Sequence, residues 1–525
     1  MQTTRYILFL MIGLTLGFGV GNRLTRASGK IQFTENKNKE KLNRLIDFIE
    51  DDYVNPINTD SLVNNTIKSI LNKLDPHSTF IPSENAQAVA ERMQGDFIGI
   101  GIKYYVTNDT LSVISTIPDG PSERAGILSG DRILIANLDT LYGKSFSTNK
   151  NIQEKLRGTV GSTVKLKVLR PQKGVTNYNL TRERVPLTSV KAAFLISDQI
   201  GYIKLKRFAE TTHSEFKTAL NKLSKKGIKS LVLDLRENGG GYVTPAIQIA
   251  DEFLEDGKLI MFTKDRDSNI RKSYATSEGD FENGTIYVLI DENSASASEI
   301  LAGALQDNDK GIIVGRRSFG KGLVQQEKSL GDGSKIRLTV SRYYTPTGRS
   351  IQRPYNKGTQ AYYKEYLERY ESGELHDSTK LKINDTLAFK TPKGKIVYGG
   401  GGIIPDVYVS KTTERNLEIL DYSLYTGVLS RFVFSELDTN RKFYNDLSKE
   451  ELKNLEITDF LLKEFKSYAT NLGLEFIGID ENTFIVENIK AEIANQLFSE
   501  NLGAQILSKQ DKVIQKILEL ENNTN

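Results

Sequence analysis

A run of small residues at a predicted strand-to-helix junction contains the strongest candidate for a nucleophile. NSASASEILAGALQD follows the apolar segment TIYVLID, and Ser296 is the central serine of the run. Such a junction exposes one side chain and leaves the N–H groups of the helix N-terminus free, which suits a nucleophile beside an oxyanion hole. Taken alone, Ser294, Ser296 and Ser298 are more commonly a helix cap and a close-packing device. The neighbouring motifs therefore decide the interpretation.

The candidate partner of Ser296 is a lysine. Lys321 follows 25 residues later in the glycine-flanked turn FGKG, before the apolar stretch GLVQQ. The chain has three histidines, at positions 77, 213 and 376, and none of them is near the two candidates in the sequence. A serine with a lysine as general base is the arrangement that these residues allow.

A lysine that serves as a base must be neutral near neutral pH. Its pKa must then fall from about 10.4 to about 7, which costs on the order of 4 kcal/mol. Burial among apolar side chains lowers the pKa of an amine, and Phe319, Leu323 and Val324 could provide that burial. On a strand, Lys321 and Gln325 would share a face. The Gln325 amide can hydrogen-bond to the amine without adding a charge that would raise its pKa.

A glycine-rich turn supplies candidates for an oxyanion hole. DLRENGGG, residues 234–241, ends a predicted strand and precedes a predicted helix. A turn of this kind can direct backbone N–H groups at an anion, and it lacks the lysine of a nucleotide-binding P-loop. We expect the N–H of Ala297 to act with that of Gly240 or Gly241. We expect Arg236 to fix the turn.

Residues 93–172 change to a pattern of short strands with two short helices, and they resemble a PDZ domain. FIGIGI by itself would also fit a tightly packed barrel strand, but PSERAG and GDRI follow at the intervals typical of a PDZ domain. A glycine-containing loop leaves N–H groups free for a terminal carboxylate, and the adjacent edge strand pairs with the peptide. The residues predicted to bind the peptide are Ile98, Gly99, Ile100, Gly101 and Ile102.

The whole set of motifs resembles the C-terminal processing peptidases, also called tail-specific proteases. LDPHSTF, the PDZ-like unit, DLRENGGG, NSASASEILAGALQDND, SFGKGLVQ and YYTPTGRSIQ occur in this order over roughly residues 60–410. The resemblance implies that Ser296 is the nucleophile, that Lys321 is the base and that Gln325 orients the lysine. It also implies a core related to crotonases and ClpP, and an extracytoplasmic setting. Gly239 departs from the family, which often has proline or serine there.

The predicted fold class is a multi-domain α/β protein whose crotonase/ClpP-like core carries an inserted-type, mostly β PDZ domain between helical N- and C-terminal regions. Alternating strands and helices in the core indicate a largely buried sheet. The expected segments are a signal anchor or signal peptide with a linker (1–30), a helical region (31–92), the PDZ domain (93–172), the protease core (173–410) and a helical C-terminal domain (411–525).

The first 30 residues predict the location of the protein. Residues 6–21 form an uncharged run of 16, which is short for a membrane-spanning helix and long for a signal-peptide core. No A-x-A cleavage site follows, which favours an uncleaved anchor over a cleaved signal. In either case we expect the rest of the chain outside the cytoplasm, tethered to the inner membrane or released there.

Composition excludes several other functions. The chain has no cysteine, so it has neither disulfides nor a thiolate nucleophile, and three scattered histidines make a zinc site improbable. The net charge of +4 comes without a basic stripe, which argues against nucleic-acid binding. We expect no cofactor and no metal.

Four further features invite an assignment. His77 follows Asp75-Pro76, and a catalytic role is less common for such a residue than a local hydrogen bond in the turn. Glu299 and Asp307 occupy ordinary positions on the predicted helix after Ser296, and we interpret both as structural. The glycine run at 399–402 reads as a tight loop without chemistry.

The sequence therefore predicts an extracytoplasmic serine endopeptidase that cleaves proteins near their C-termini through an acyl-enzyme. Its partners would be protein substrates with free, apolar C-termini, and a regulatory partner or a homo-oligomer is left open. One alternative is a catalytically inert PDZ scaffold. Another is a crotonase-type enzyme that acts on acyl-CoA, which the PDZ unit and the N-terminal segment disfavour.

Overall fold

The structure is a computed structural model that describes residues 37–143, 149–171, 173–412, 415–477 and 482–524. None of the helices within these ranges is long and apolar enough to cross a bilayer. The apolar run 6–21, on which the predicted anchor depends, lies outside the described residues. The chain divides into two compact units, Met1–Ser69 and Ile70–Asn525.

The first described elements are two amphipathic helices. They are α1 (Lys37–Asp52) and α2 (Thr59–Asn72). A turn then leads into a short strand and a helix, β1 (Thr79–Ile81) and α3 (Ser83–Gln94). The LDPHSTF motif thus forms the turn before β1 and β1 itself.

The PDZ-like unit is built around a six-stranded sheet. Its elements are β2 (Asp96–Gly99), β3 (Ile102–Thr107), β4 (Thr110–Thr116), α4 (Pro121–Arg124), β5 (Arg132–Ala136), β6 (Asp139–Thr140), α5 (Asn149–Leu156), β7 (Thr163–Arg170), β8 (Gly174–Thr181) and β9 (Glu183–Pro186). The strand order is β3-β4-β5-β7-β8, with β6 on β5 and β2 on β9. In β7 the alternating residues Val164, Leu166 and Val168 are buried, as expected for a sheet with one wet face. FIGIGIKYYV is not one strand, because the chain turns at Gly101, where φ is +73°.

The core of the large unit is a six-stranded, mostly parallel sheet. This part of the chain contains β10 (Val190–Ser197), β11 (Ile200–Leu205), α6 (Thr212–Ser224), β12 (Ser230–Asp234), α7 (Val243–Asp251), β13 (Leu259–Asp265), β14 (Ile270–Tyr274), β15 (Thr285–Ile290), α8 (Ala297–Asp307) and β16 (Gly311–Gly315), of which β13 and β14 belong to a second sheet. The order is β10-β11-β12-β15-β16 followed by a later strand, β21 (Val407–Tyr408), and only the β10–β11 pair is antiparallel. The central strands are buried along almost their whole length, as in a sheet covered on both faces.

A second sheet lies beside the first and carries the FGKG turn. Its new strands are β17 (Leu323–Ser329) and β18 (Lys335–Tyr344), followed by α9 (Thr359–Glu371), β19 (Ala388–Lys390), β20 (Ile396–Tyr398) and β21 (Val407–Tyr408). Here β18 is central and pairs with β1, β13 and β17. The N-terminal motif and the FGKG turn therefore meet in one sheet.

The rest of the described chain is helical. It comprises α10 (Arg415–Tyr425), α11 (Val428–Thr439), α12 (Arg441–Asn445), α13 (Lys449–Lys453), α14 (Asp459–Thr470), α15 (Asn482–Leu497), α16 (Glu500–Ser508) and α17 (Lys512–Thr524). Val513, Ile514 and Ile517 of α17 cover the face of the parallel sheet opposite α8. Asp438 pairs with Arg132 of the PDZ-like unit. The predicted multi-domain α/β fold class with a helical C-terminal region is confirmed.

Candidate active site

Ser296 occupies a strained position at the N-terminus of α8. Its φ is +57°, a region that residues with side chains rarely adopt and that costs of order 1–3 kcal/mol. The glycine loop approaches it closely, since a Cβ on Gly240 would lie 2.9 Å from the Ser296 Cβ and 3.0 Å from the Ala297 nitrogen. Only glycine fits there. Strain that persists at one residue is a reason to look for function at that residue.

The other two serines of the run are engaged in structural hydrogen bonds. The hydroxyl of Ser294 donates to the carbonyl of Leu235 at 2.8 Å, and that of Ser298 donates to the carbonyl of Asn238 at 2.8 Å. Both side chains are fully buried. Ser296 is partly exposed, and its hydroxyl donates no hydrogen bond within the described residues. Among the three, it is the serine that is free to react.

The backbone N–H groups that are candidates for the oxyanion hole differ in whether they already donate a hydrogen bond. The Gly240 N–H donates to the side-chain oxygen of Asn238 at 2.9 Å. The N–H groups of Gly241 and Ala297 have no partner in the described parts of the chain. Ala297 is also the first residue of α8, where the helix dipole favours negative charge. Of the two glycines considered, Gly241 has the available N–H.

Lys321 and Gln325 are in contact, although not for the reason that their spacing suggested. The Lys321 amine donates to the Gln325 side-chain oxygen at 2.9 Å, and the Gln325 amide donates to the backbone carbonyl of His77 at 2.5 Å. Simple alternation along a strand is not the cause, because β17 begins at Leu323 and its pairing with β18 is irregular between Val324 and Gln325. Within the described residues no hydrogen bond joins the Ser296 hydroxyl to Lys321, and such contacts often tighten only when substrate binds.

Burial lowers the pKa of the Lys321 amine to about 8. The positive charge of Arg337 lowers it as well, whereas the carboxylates of Glu299 and Asp75 oppose the shift. Leu323 is buried beside it, in line with the predicted apolar surroundings. About a tenth of the lysine is therefore neutral at pH 7 and about half at pH 8, and only this neutral form can act as a general base.

The carboxylate of Glu299 ties the serine to the FGKG turn. One of its oxygens accepts the N–H groups of Ser296 and Lys321, both at 2.8 Å. The other accepts the Ser318 hydroxyl at 2.5 Å and the Gly320 N–H at 2.7 Å. Burial raises the pKa of Glu299, although these hydrogen bonds oppose the rise. The spacing S-x-x-E of a capping box was the available signal for this contact.

His77 contributes its backbone to the site. Burial lowers the pKa of its ring to about 3, so the ring is neutral at ordinary pH. The ring nitrogen Nε2 lies 3.0 Å from the Tyr362 hydroxyl and contacts neither Ser296 nor Lys321. Its carbonyl, which accepts the Gln325 amide, was not anticipated.

The other predicted polar residues support the framework. Arg236 pairs with Asp234 at 2.6 Å and with Asp511, the residue before α17, at 2.7 Å, so it joins the start of the C-terminal helix to the end of β12. Asp307 pairs with Arg349 at 2.7 Å, and both are fully buried. Across the described residues, no cluster of three or more side chains suited to a metal ion is found.

The five residues of the PDZ-like loop occupy two different environments. Ile98 and Gly99 belong to β2, which pairs with β9. The carbonyls of Ile100 and Gly101 accept hydrogen bonds from the chain that follows, whereas their N–H groups have no partner within the described ranges. Ile102 begins the edge strand β3.

Comparisons with known proteins find matches for both the core that carries the candidate site and the PDZ-like unit. The model of peptidase family S41 matches residues 199–360, that of the PDZ domain residues 99–178, and that of a family of unknown function residues 420–499. A carboxy-terminal-processing protease from Bartonella bacilliformis is 34% identical over 361 residues, which are 66% of this chain and 80% of the relative. The carboxy-terminal processing protease CtpA of Bacillus subtilis is 33% identical, over 66% of this chain and 73% of that protein. A solved photosystem II D1 C-terminal processing protease matches 68% of this chain and 84% of its own, with 26% identity and a TM-score of 0.36.

The sequence comparisons, together with the fold and the site, define a serine peptidase that contains a PDZ domain. The chain belongs to peptidase family S41, among the carboxy-terminal processing peptidases. This assignment confirms the predicted family and enzyme class. It favours them over the inert scaffold and the acyl-CoA enzyme.

Proposed function

We propose that the protein cleaves other proteins near their C-termini with a dyad of Ser296 and Lys321. The observation that carries this proposal is the Glu299 oxygen that accepts the backbone N–H groups of both residues. Two segments that are separate in the sequence are held together by one buried carboxylate. The lowered pKa of Lys321 supports its role as the base.

The neutral amine of Lys321 takes the proton of the Ser296 hydroxyl while Oγ forms a bond to the scissile carbonyl carbon. The ammonium then gives this proton to the leaving amine, the C–N bond breaks, and an acyl-enzyme remains. Lys321 next takes a proton from water while the water oxygen forms a bond to the ester carbon. The ammonium then returns this proton to Ser296 Oγ, the bond between Oγ and the acyl carbon breaks, and the acid leaves. The N–H groups of Ala297 and Gly241 are our candidates for stabilising the oxyanion of each tetrahedral intermediate.

Gln325 orients the base. Its oxygen holds one N–H of Lys321, which limits the rotation of the amine and directs its lone pair. A glutamine supplies this contact without a negative charge, so it leaves the pKa of the lysine low. The role of Gln325 is therefore positional.

The PDZ domain binds the substrate tail. Substrate residues would pair with the edge strand β3, and the terminal carboxylate would meet the free N–H groups of Ile100 and Gly101. The surrounding Ile98, Gly99 and Ile102 favour apolar residues. A free, apolar C-terminus is the expected ligand.

The protein acts outside the cytoplasm in this proposal. Residues 6–21 would tether it to the inner membrane or serve as a cleaved signal, and the fold described above would lie on the periplasmic side. Labelling of intact cells with a reagent that does not cross the inner membrane tests this placement.

Digestion of casein tests the catalytic assignment. Ser296→Ala and Lys321→Ala should each abolish cleavage, because nucleophile and base act as a unit. Ser329→Ala and Lys328→Ala are matched controls, since both residues lie on the exposed end of β17 and should retain wild-type turnover. Wild-type turnover by Ser296→Ala would overturn the proposal.

A further inference from the structure

The Gln325 amide has a fixed orientation, and a distant part of the chain imposes it. The carbonyl of His77 can only accept a hydrogen bond, so the NH₂ end of Gln325 must face it. The oxygen end must then face Lys321. The turn before β1 thus decides which atom of Gln325 the lysine meets.

Asp75 determines where this carbonyl lies. Its Oδ1 accepts the N–H groups of His77 and Ser78, both at 2.8 Å, and its Oδ2 accepts the Ser78 hydroxyl at 2.6 Å. Asp75 and Ser78 are both buried. Although burial opposes it, hydrogen bonds from Ser78 and His77 hold the pKa of Asp75 below its ordinary value. The carboxylate is charged at neutral pH and fully used in closing the turn.

The same turn is attached to the strand beside Gln325. The Ser78 hydroxyl accepts the N–H of Thr339 at 3.1 Å, and Thr339 is the β18 residue paired with Gln325 of β17. On the opposite side, the Tyr363 hydroxyl of α9 donates to the carbonyl of Pro76 at 3.1 Å. The turn is therefore held on two sides.

We propose that Asp75 is a positioning residue of the peptidase, which acts through the His77 carbonyl on Gln325 and through Gln325 on Lys321. This proposal rests on the roles proposed above for Lys321 and Gln325. Asp75 touches neither substrate nor the reacting atoms. In this proposal the LDPHS motif contributes to catalysis by positioning Lys321, and the imidazole ring of His77 takes no part in the reaction.

Because Asp75 is charged, the proposal predicts a specific change in the dependence of kcat on pH. The groups that face Lys321 are Arg337 of β18, Glu299 of α8, Asp75 and the neutral ring of His77. Removal of the Asp75 charge removes one of the two carboxylates that raise the pKa of the amine. In a variant without this charge, the rise of kcat with pH, which follows deprotonation of Lys321 and forms the acid limb of the profile, should therefore occur at lower pH. The maximal kcat should nevertheless fall.

Asp75→Asn in the full-length enzyme is the direct test. An asparagine retains Oδ1 for the two N–H groups but loses the acceptor for the Ser78 hydroxyl and the charge. We expect kcat for a short peptide to fall about tenfold, KM to change by less than about twofold, and the acid limb to move to lower pH. Asp332→Asn is the matched control, because Asp332 binds the N–H and hydroxyl of Ser334 in the same way at the exposed tip of the β17–β18 hairpin. It should change neither kcat nor the profile.

Two further variants separate position from charge and from folding. In a Gln325→Ala background, Asp75→Asn should lower kcat by less than about twofold, because its effect passes through Gln325. Ser78→Ala keeps the Asp75 charge, so it should lower kcat without moving the acid limb. It also answers the question if Asp75→Asn does not fold.

Each result has a defined reading. The proposal is overturned if Asp75→Asn keeps wild-type kcat, if its pH profile does not move, or if its effect is equally large without Gln325. If Lys321→Ala itself retains turnover, the proposed dyad fails and the role of Asp75 fails with it. If Lys321→Ala is inactive and Asp75→Asn is not impaired, only the role of Asp75 is wrong.

Discussion

The side-chain oxygen of Gln325 accepts a hydrogen bond of 2.9 Å from the amine of Lys321. A glutamine and a glutamate could both make this bond, but they have opposite effects on the base. The amide is neutral and leaves burial free to lower the pKa of Lys321, whereas a carboxylate would favour the ammonium form. We therefore expect a glutamate at position 325 to raise the pKa of Lys321.

Gln325→Glu should lower kcat at pH 7 by at least about tenfold, because a pKa raised by one unit or more leaves correspondingly less neutral lysine. Activity should recover as the pH rises towards 10. Gln325→Ala should lower kcat at every pH, since it removes the orientation of the base. Peptide hydrolysis between pH 6 and 10 measures both, with Gln326→Glu on the exposed part of β17 as the control. A Gln325→Glu enzyme with full activity at pH 7 would show that Lys321 is not the base.

The wild-type enzyme should gain activity as Lys321 loses its proton. With its pKa at about 8, kcat should rise through pH 7 and 8 and level off above about pH 9. Single-turnover hydrolysis of a peptide across this range checks the prediction. A rate that is constant from pH 6 to 9 would contradict it.

Lys321 should also cost the protein stability. Its pKa is lower in the folded state than the ordinary value of 10.5, so the folded state disfavours the protonated form. This cost is complete below pH 8 and is relieved as the pH rises from about 8 to about 10.5. Lys321→Met should raise the free energy of unfolding by up to about 3 kcal/mol at pH 6 and by much less at pH 10. Urea titrations at the two pH values measure the difference, and an equal gain at both would argue against a buried lysine.

Glu299→Gln should inactivate the enzyme. Both carboxylate oxygens accept N–H or O–H donors, so an amide must place its NH₂ group against at least one donor. We expect kcat to fall at least about a hundredfold and the melting temperature to fall as well. Glu255→Gln, at an exposed position, should change neither quantity. Full activity in Glu299→Gln would mean that the serine and the FGKG turn do not depend on this carboxylate.

The PDZ domain should distinguish free from amidated C-termini. Amidation removes the negative charge that the free N–H groups of Ile100 and Gly101 would bind. An apolar peptide should therefore bind the full-length Ser296→Ala protein at least about tenfold more weakly after amidation. Fluorescence anisotropy provides the measurement. Equal affinities would show that the carboxylate is not recognised in this loop.

Local signals in the sequence identified the candidate site residues and predicted much of the core. The small residues around Ser296, the glycine turn and the spacing of Lys321 and Gln325 each reflect short stretches of chain. The buried strands β12 and β15 were also clear, because their apolar runs are continuous. These features need no knowledge of distant contacts.

The features that were not predicted depend on distant contacts. Glu299 looked like an ordinary helix residue because its partners in the FGKG turn come about twenty residues later, and the carbonyl of His77 carries no side-chain signal at all. The polar helix α9 is held by long-range contacts, such as Arg369 to the Ser318 carbonyl at 2.8 Å. The sequence favoured a local hydrogen bond of His77 over a catalytic role, but it gave no indication that the backbone carbonyl of His77 contacts Gln325.

Reaction with a fluorophosphonate, followed by peptide mapping in a mass spectrometer, tests the central claim that Ser296 is a nucleophile activated by Lys321. The account predicts a single adduct on Ser296, formed faster as the pH rises through about 8 and formed at least about a hundredfold more slowly in Lys321→Ala. An adduct on Ser294 or Ser298, or undiminished labelling of Ser296 in Lys321→Ala, would contradict it.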